Sequence, residues 1–293
     1  MNRMFMNLKD ALSEKLSSDE IDALNRSFEV IGDIGIIELD EKLLSKKKDI
    51  AKALVLVQRN IKVVLLKTDD VSGRYRVPKF EVIFESKDRD FSWVPKGFRP
   101  VKATETVHRE HGCRFKIDPT TAYFSSKLAG ERERIREQVK DGERILCLFA
   151  GVGPFPIVVA RAKDVSITAV EINPDAVASF KENAVMNKVD DKIDIVLGDA
   201  GEVLGAIDGT FDRIMMPAPK NAADFLEGAL ALSKKGTIVH LYTFLAEEEI
   251  EGVGEVVSSR CMKAGVKVKI LLVRKCGNIG PYHYRVVVDF LVL

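Results

Sequence analysis

The segment Phe149-Ala150-Gly151-Val152-Gly153-Pro154-Phe155 links an apolar run, Arg144 to Phe149, to a run with helical character, Phe155 to Ala162. Glycines allow a sharp turn and let a ligand come close to the backbone. The helix that follows offers its N-terminus to that ligand. Glu171 stands 20 residues after Gly151 and closes the next apolar run, followed by Ile172. A carboxylate at that spacing accepts both ribose hydroxyl hydrogens of an adenosine. Asp199, followed by Ala200, closes a third run, where the adenine edge would lie. Loop, Glu171 and Asp199 all fall at the carboxyl ends of predicted strands, where open α/β sheets bind ligands.

This pattern suits two ligand classes, dinucleotides and S-adenosylmethionine. Pro156 stands where the third glycine of a dinucleotide fingerprint would be. Pro154 and Pro156 also remove amide donors that a pyrophosphate would use. The spacing therefore favours S-adenosylmethionine over a nicotinamide cofactor.

The elements that must position these residues alternate in type. Strand-like runs at Arg144 to Phe149, Ser166 to Glu171, Lys192 to Leu197, Phe211 to Met216 and Thr237 to Thr243 are separated by helical runs, among them Pro174 to Asn187 and Ala222 to Ser233. Such alternation predicts βαβ units and a parallel sheet with helices on both faces. A helix over Glu247 to Ala264 is followed by two strands in succession, Lys267 to Val273 and Tyr284 to Leu293, around a turn at Gly277 to Pro281. That ending predicts a closing antiparallel hairpin, which sets methyltransferase-type sheets apart from ordinary nucleotide-binding ones. The first half reads differently. Short helices over Asn7 to Leu24 precede strands around Gly32-Asp33, a helix over Lys47 to Gln58, strands at Val63 to Lys67 and Lys79 to Phe84, a long exposed loop from Asp88 to Lys102, and a hairpin around Glu110-His111-Gly112.

Composition bounds the reading. With 293 residues, 46% hydrophobic and 30% charged, the chain is long enough for about two domains and too apolar to be disordered. No stretch approaches the ~20 apolar residues of a membrane span, and the charged N-terminus does not resemble a secretory signal. Cys113, Cys147, Cys261 and Cys276 form no C-x-x-C pair, and the four histidines show no metal-binding spacing. Reduced thiols in the cytoplasm and no metal are the expectation. The net charge of +1 hides an asymmetry, because Lys62 to Lys116 holds 13 Lys/Arg against 8 Asp/Glu. A basic segment with Tyr75, Phe91, Trp93 and Phe98 interleaved fits either a solvated face or a nucleic-acid surface.

Several ordered motifs carry a family likeness. Asp118 to Ile135 (DPTTAYFSSKLAGERERI), LFAGVGPF, VEINPDAV with ENAVMNK, DRIMMPAPKNAADFLEGAL, GTIVHLYTF and the ending GPYHYRVVVDF resemble the archaeal and eukaryotic tRNA guanine-37 N1-methyltransferases. The resemblance runs from about Phe28 to Leu293. It implies a class I S-adenosylmethionine-dependent methyltransferase domain over 113–293, Rossmann-like with a mixed seven-stranded sheet, and a smaller N-terminal α/β domain on the RNA side over 1–112. It implies methyl transfer to N1 of guanosine 37 in the tRNA anticodon loop. No membrane and no obligate protein partner are expected.

The resemblance also assigns roles. Neutral guanine carries a hydrogen on N1, so attack through that nitrogen needs a base. The family's glutamate for this work corresponds to Glu131, with Arg132 beside it to orient the carboxylate or bind phosphate. Arg76 corresponds to an arginine used at the target base, where a guanidinium can donate to guanine O6. Tyr123, Phe149, Ala150, Gly151, Val152, Gly153, Glu171, Ile172, Asp199, Ala200 and Pro217 would surround the cofactor. Lys79, Arg89, Lys96, Arg99 and Lys102 are the expected phosphate contacts, with Arg76 and Pro219 at the base. One departure stands out. Many members read Asn-Leu-Pro after the fourth strand, whereas this chain reads Met216-Pro217-Ala218-Pro219, so the amide that would face the guanine is missing. The likeness extends less closely to the aminocarboxypropyl transferases of the wyosine pathway, which use the same cofactor. A catalytically silent tRNA-binding protein is the reading from another class.

Overall fold

The computed structural model describes residues 7–24, 28–72, 75, 77–217 and 222–293, with the side chains of 70–72, 222 and 223 left aside. Two compact units divide at Ser126/Lys127.

In the first unit, α1 (Leu8–Leu12) and α2 (Ser18–Ala23) are each closed by a capping box, from Asn7 and Ser17. A four-stranded sheet follows in the order β1 (Glu29–Ile31), β2 (Ile34–Ile37), β3 (Val63–Ser72), β4 (Val77–Glu85), with α3 (Lys47–Val57) as the crossover between β2 and β3. The parallel β2–β3 pair requires that crossover. Leu12, Leu43, Ile50, Leu54, Ile61 and Val64 are buried together as its core. The hairpin of β5 (Thr106–Glu110) and β6 (Cys113–Ile117) belongs to this unit. The boundary expected at Gly112 falls inside that hairpin, so it moves to the end of the segment after it. The reason is local. The turn between β1 and β2 is hydrogen-bonded to β5, with Gly32 N donating to His108 Nδ1 at 3.3 Å and Asp33 N donating to Thr106 Oγ1 at 3.1 Å.

The second unit opens with α4 (Ala129–Gln138) and continues as β7 (Arg144–Leu148), α5 (Pro154–Ala162), β8 (Ser166–Glu171), α6 (Pro174–Asn187), β9 (Ile193–Leu197), α7 (Ala200–Val203), β10 (Phe211–Met216), α8 (Leu226–Ala231), β11 (Ser233–Ala246), α9 (Val253–Lys263), β12 (Val268–Gly280) and β13 (His283–Val292). Seven strands form one sheet in the order β12-β13-β11-β10-β7-β8-β9. The five strands from β11 to β9 run parallel, while β13 is antiparallel to β11 and β12 to β13. The predicted mixed sheet with a closing hairpin is what forms. Its tight turn is at Pro281-Tyr282, with Tyr282 at φ 56°, because β12 pairs through Gly280 and takes up most of the segment expected to turn, Gly277 to Pro281. The helices expected over Ala222 to Ser233 and Glu247 to Ala264 are shorter, since β11 already begins at Ser233 and α9 starts only at Val253. Buried strand residues such as Leu146, Leu148, Ile214, Val239, Leu241, Val288 and Phe290 pack with Leu226, Leu230, Val253 and Val257 from the helices.

Candidate active site

The glycine loop lies between β7 and α5, at the carboxyl edge of the sheet. Phe149, Gly151 and Gly153 all have positive φ, at 56°, 57° and 85°. A bulky residue such as Phe149 rarely adopts that region, and such outliers concentrate where a backbone is held for a ligand. Gly153 has a second constraint. A Cβ there would fall inside the ring of Phe180 on α6. The loop is tied down by Ala150 N to Val170 O at 3.1 Å and by the buried Asn183 of α6, whose Nδ2 donates to Val152 O at 3.1 Å. Val152 itself is fully buried, and Ala150 is nearly so.

Glu171 ends β8 with its carboxylate turned to the loop. Oε2 accepts from Gly151 N at 2.7 Å and Oε1 from Asn173 N at 2.8 Å. Burial pushes this carboxyl up from the usual range, against the backbone amides that hold it down. A carboxylate has about four lone-pair sites. Backbone amides of Gly151, Ile172 and Asn173 all act on it, which leaves room for a further donor such as a ribose hydroxyl. Asp199 caps α7, its Oδ1 accepting from Gly201 N at 2.9 Å, with Ala200 buried behind it. Phe149 lies edge-on to Phe225, centroids 5.1 Å apart. The prolines at the start of α5 leave few free amides for phosphate, yet the loop and Glu171 provide a close backbone approach and paired acceptors. The residues present fit an adenosine-sulfonium cofactor. Ile172 and Pro217 are partly exposed at the ends of β8 and β10.

Glu131 sits on α4 and is 3% exposed. Its two oxygens are unequal. Oε2 accepts from Arg134 Nε at 3.0 Å, Arg134 Nη2 at 2.8 Å and the Tyr242 hydroxyl at 3.0 Å. Oε1 is buried and has no hydrogen-bond partner among the described residues. Arg274 Nη1, from a side chain about half exposed on β12, approaches Oε1 to 3.6 Å. A buried acceptor left unmade costs about 1–3 kcal/mol, and such exceptions in native structures mark places with work to do. Tyr242 links this carboxylate to the cofactor loop. Its ring is edge-on to Phe155, the second residue of α5, at 5.7 Å. Burial and the Glu131 charge push its phenol well above the usual range, so it stays a hydrogen-bond donor.

The sequence expectation gave the orienting role to Arg132. The arginine bonded to Glu131 Oε2 is Arg134. On a helix, residues three apart share a face, whereas adjacent ones do not. Arg132 is 1% exposed and lies 5.7 Å from the Phe155 ring instead.

Behind Arg134 runs a chain of buried polar groups that sequence reasoning missed. Arg134 Nη1 donates to Asp289 Oδ2 at 2.6 Å. Asp289 Oδ1 meets His240 Nδ1 at 2.7 Å, and His240 Nε2 meets Arg213 Nη1 at 2.7 Å. Arg213 closes the chain on Glu143 through Nε at 2.7 Å and Nη2 at 3.0 Å. Arginine can only donate. His240 Nε2 is therefore the acceptor and Nδ1 carries the hydrogen given to Asp289. Burial likewise pulls the His240 pKa down and keeps the ring neutral. Burial alone would raise Asp289, but its bonds to His240 and Arg134 outweigh that and hold it below the usual range. Asp289 and His240 are cross-strand partners on β13 and β11. Both lie in segments that carried the family likeness, GPYHYRVVVDF and GTIVHLYTF, and a charged residue in an otherwise apolar strand was the available signal.

Other expected residues divide. Arg89, expected at phosphate, is engaged within the first unit. Its guanidinium grips Asp33 at 2.8 and 2.9 Å and the carbonyls of Lys102, Ala103 and Glu105, which pins the loop after β4 to the β1–β2 turn. That loop is accordingly less free than its composition suggests, with Val94 buried in it. Arg99 is exposed but donates to Val94 O and Ser92 O. Lys79 is exposed and paired with Asp69 at 3.1 Å, while Lys96 and Lys102 are exposed. Tyr123 is about half exposed in the first unit. Arg76 and Pro219 lie outside the described residues. No group of acids, histidines and cysteines able to hold a metal, and no helix long and apolar enough to cross a membrane, occurs among the described residues.

Comparison with known proteins agrees with this geometry. Residues 106–270 match the TRM5/TYW2 methyltransferase domain and residues 8–86 the TYW2 N-terminal domain. The tRNA (guanine(37)-N(1))-methyltransferase Trm5b of Pyrococcus abyssi is 37% identical over 92% of this chain and 76% of its own length. The crystal structure of that Trm5b superposes with a TM-score of 0.81 over 94% of this chain and 78% of that one. The complex of aTrm5 with tRNALeu superposes at 0.82, with 26% identity, over 100% of this chain and 80% of that one. The tRNA(Phe) (4-demethylwyosine(37)-C(7)) aminocarboxypropyltransferase of Pyrococcus horikoshii is 27% identical over 97% of this chain and 96% of its own length. P. horikoshii TYW2 in complex with MeSAdo superposes at 0.76, with 25% identity, over 98% of each chain.

Proposed function

We propose that this chain, which belongs to the TRM5/TYW2 methyltransferase family, transfers a methyl group to N1 of guanosine 37 in tRNA. Bound S-adenosylmethionine supplies the electrophilic methyl on a sulfonium. The loop Gly151 to Gly153, Glu171 and Asp199 would hold it, with Glu171 accepting from the ribose hydroxyls and Tyr123 and Pro217 as further walls. Glu131 Oε1 accepts the proton on guanine N1 and so frees that nitrogen's electron pair for the new bond. Arg76 is proposed to donate to O6, where negative charge develops as N1 loses its proton. A loop base splayed into a pocket is the usual way proteins read RNA by sequence. Lys79, Lys96, Arg99 and Lys102 then serve the phosphates.

The observation that carries this reading is Glu131 itself, whose buried Oε1 has no hydrogen-bond partner among the described residues and whose Oε2 is tied through Tyr242 and Phe155 to the helix that starts at the glycine loop. A base is needed only where the attacking atom carries a hydrogen, as N1 does. A second reading, aminocarboxypropyl transfer to a wyosine precursor at the same position, is favoured by one observation, the match of residues 8–86 to the TYW2 N-terminal domain. The sulfur product separates the two. Incubation with S-adenosylmethionine and a tRNA transcript bearing G37 should release S-adenosylhomocysteine. Release of methylthioadenosine, with a precursor-bearing tRNA, would support the second reading instead.

A further inference from the structure

The Glu131 carboxylate is the first member of a chain that crosses four elements: Glu131 and Arg134 on α4, Asp289 on β13, His240 on β11 and Arg213 on β10, ending on Glu143 before β7. Every side chain from Glu131 to Arg213 is buried or nearly so. Asp289 is 3% exposed, His240 and Arg213 no more than 1%. Buried ions are costly to desolvate and are weak devices for stability alone. Their geometry here does something specific. Arg134 places two donors on one oxygen of Glu131, Tyr242 adds a third, and no described group donates to the other.

We propose that Arg134 and Asp289 are positioning residues that reserve Glu131 Oε1 for the substrate proton, Arg134 clamping Oε2 and Asp289, held by His240, fixing the guanidinium. The inference rests on the proposed proton transfer to Glu131. The chain orients and does not conduct. An arginine between Glu131 and Asp289 keeps its proton, so the proton taken from the base stays on Glu131 until solvent or product release removes it. Arg213 sets the direction of the whole chain, because its donation to Nε2 leaves His240 only Nδ1–H to give to Asp289. The groups facing Glu131 are Arg134 from α4, Tyr242 from β11, and Arg274 and Cys276 from β12.

The test is a double-mutant cycle on the full-length enzyme with G37 tRNA. Asp289→Asn and Arg134→Gln should each lower kcat by about tenfold or more, since misplacing a catalytic group by an ångström costs up to about a hundredfold. KM for tRNA and the dissociation constant of S-adenosylmethionine should stay within about twofold. Neither substitution should lower the residual rate further in a Glu131→Gln background. Rates that fall additively in that background, or an Asp289→Asn enzyme with unchanged kcat, overturn the proposal. If Asp289→Asn does not fold, Arg134→Lys in the same cycle, which keeps the charge and loses the fork, decides it by the same criterion. A wild-type enzyme that makes no 1-methylguanosine would refute the functional reading instead.

Discussion

Tyr242 donates its hydroxyl to Glu131 Oε2 across 3.0 Å while its ring stands edge-on to Phe155. One side chain thus joins the candidate base to the first turn of the helix that follows the cofactor loop. Tyr242→Phe keeps the ring and removes the donor. A hydrogen bond to a charged group contributes about 1.5–3 kcal/mol, and Arg134 still holds the same oxygen. The expected outcome is a kcat lowered several-fold with S-adenosylmethionine affinity unchanged, measured by single-turnover methylation and calorimetry. An unchanged kcat would show that the hydroxyl does not help fix Glu131.

Gly153 combines a left-handed backbone with the Phe180 ring in the space a Cβ would take. Gly153→Ala should destabilise the fold by about 1–3 kcal/mol, from overpacking and from the strain of positive φ. It should weaken cofactor binding at least tenfold. Adding Phe180→Leu should return part of the stability, since it opens the space, and less of the affinity, since the backbone strain stays. Thermal unfolding with and without S-adenosylmethionine measures both.

His240 makes stability depend on pH. Its folded pKa is lowered from 6.5 by burial in the first place, with its bond to Asp289 opposing that and the Arg213 charge adding to it. In that window the unfolded chain binds a proton that the folded one refuses, so stability rises with pH. The contribution is fully present above about 6.5 and is lost as pH falls through the lower folded value. Asp289, also depressed, adds a further loss only below about 3.8. Urea unfolding from pH 8 to 5 should therefore show declining stability, and the slope should flatten in His240→Gln.

The basic segment holds cations of two kinds, Arg89 engaged within its own unit and Lys79, Lys96 and Lys102 exposed. Arg89→Ala should lower the unfolding temperature, because it removes the guanidinium that bonds Asp33 and three carbonyls, leaving Asp33 only the Thr106 hydroxyl. The triple change of Lys79, Lys96 and Lys102 to Ala should leave stability near wild type and weaken tRNA binding. It should also reduce the salt slope of log K by up to about 0.7–0.9 for each phosphate that is no longer neutralised. Titration of tRNA at several salt concentrations reads this. An unchanged slope would remove these lysines from the interface.

What could be read in the sequence was what is local in it. The glycine loop between β7 and α5, Glu171 at the end of β8 and the antiparallel pair that closes the chain each depend on a few neighbouring residues. Glu131 was reached through family likeness, since its surroundings, ERERIREQ, look like a solvated helix face. Burial reverses that impression. Arg134, Asp289 and His240 could not be joined in advance, because the link is made by β-strand register between residues 49 positions apart and by a helix 155 positions from Asp289. The same applies to Arg89, whose partner Asp33 lies 56 positions away. Charge composition indicated a basic segment but could not tell a buried arginine from an exposed lysine.

Glu131 is proposed to take the N1 proton of guanosine 37 in tRNA. The measurement that tests it most directly is mass spectrometry, with nuclease mapping, of an unmodified G37 tRNA transcript incubated with S-adenosylmethionine and either wild-type protein or Glu131→Gln. The wild type should yield 1-methylguanosine at position 37, and Glu131→Gln, whose amide cannot accept the proton, should lose at least about a hundredfold. A Glu131→Gln enzyme that methylates N1 at the wild-type rate, or a wild type that leaves G37 unmethylated, would contradict it.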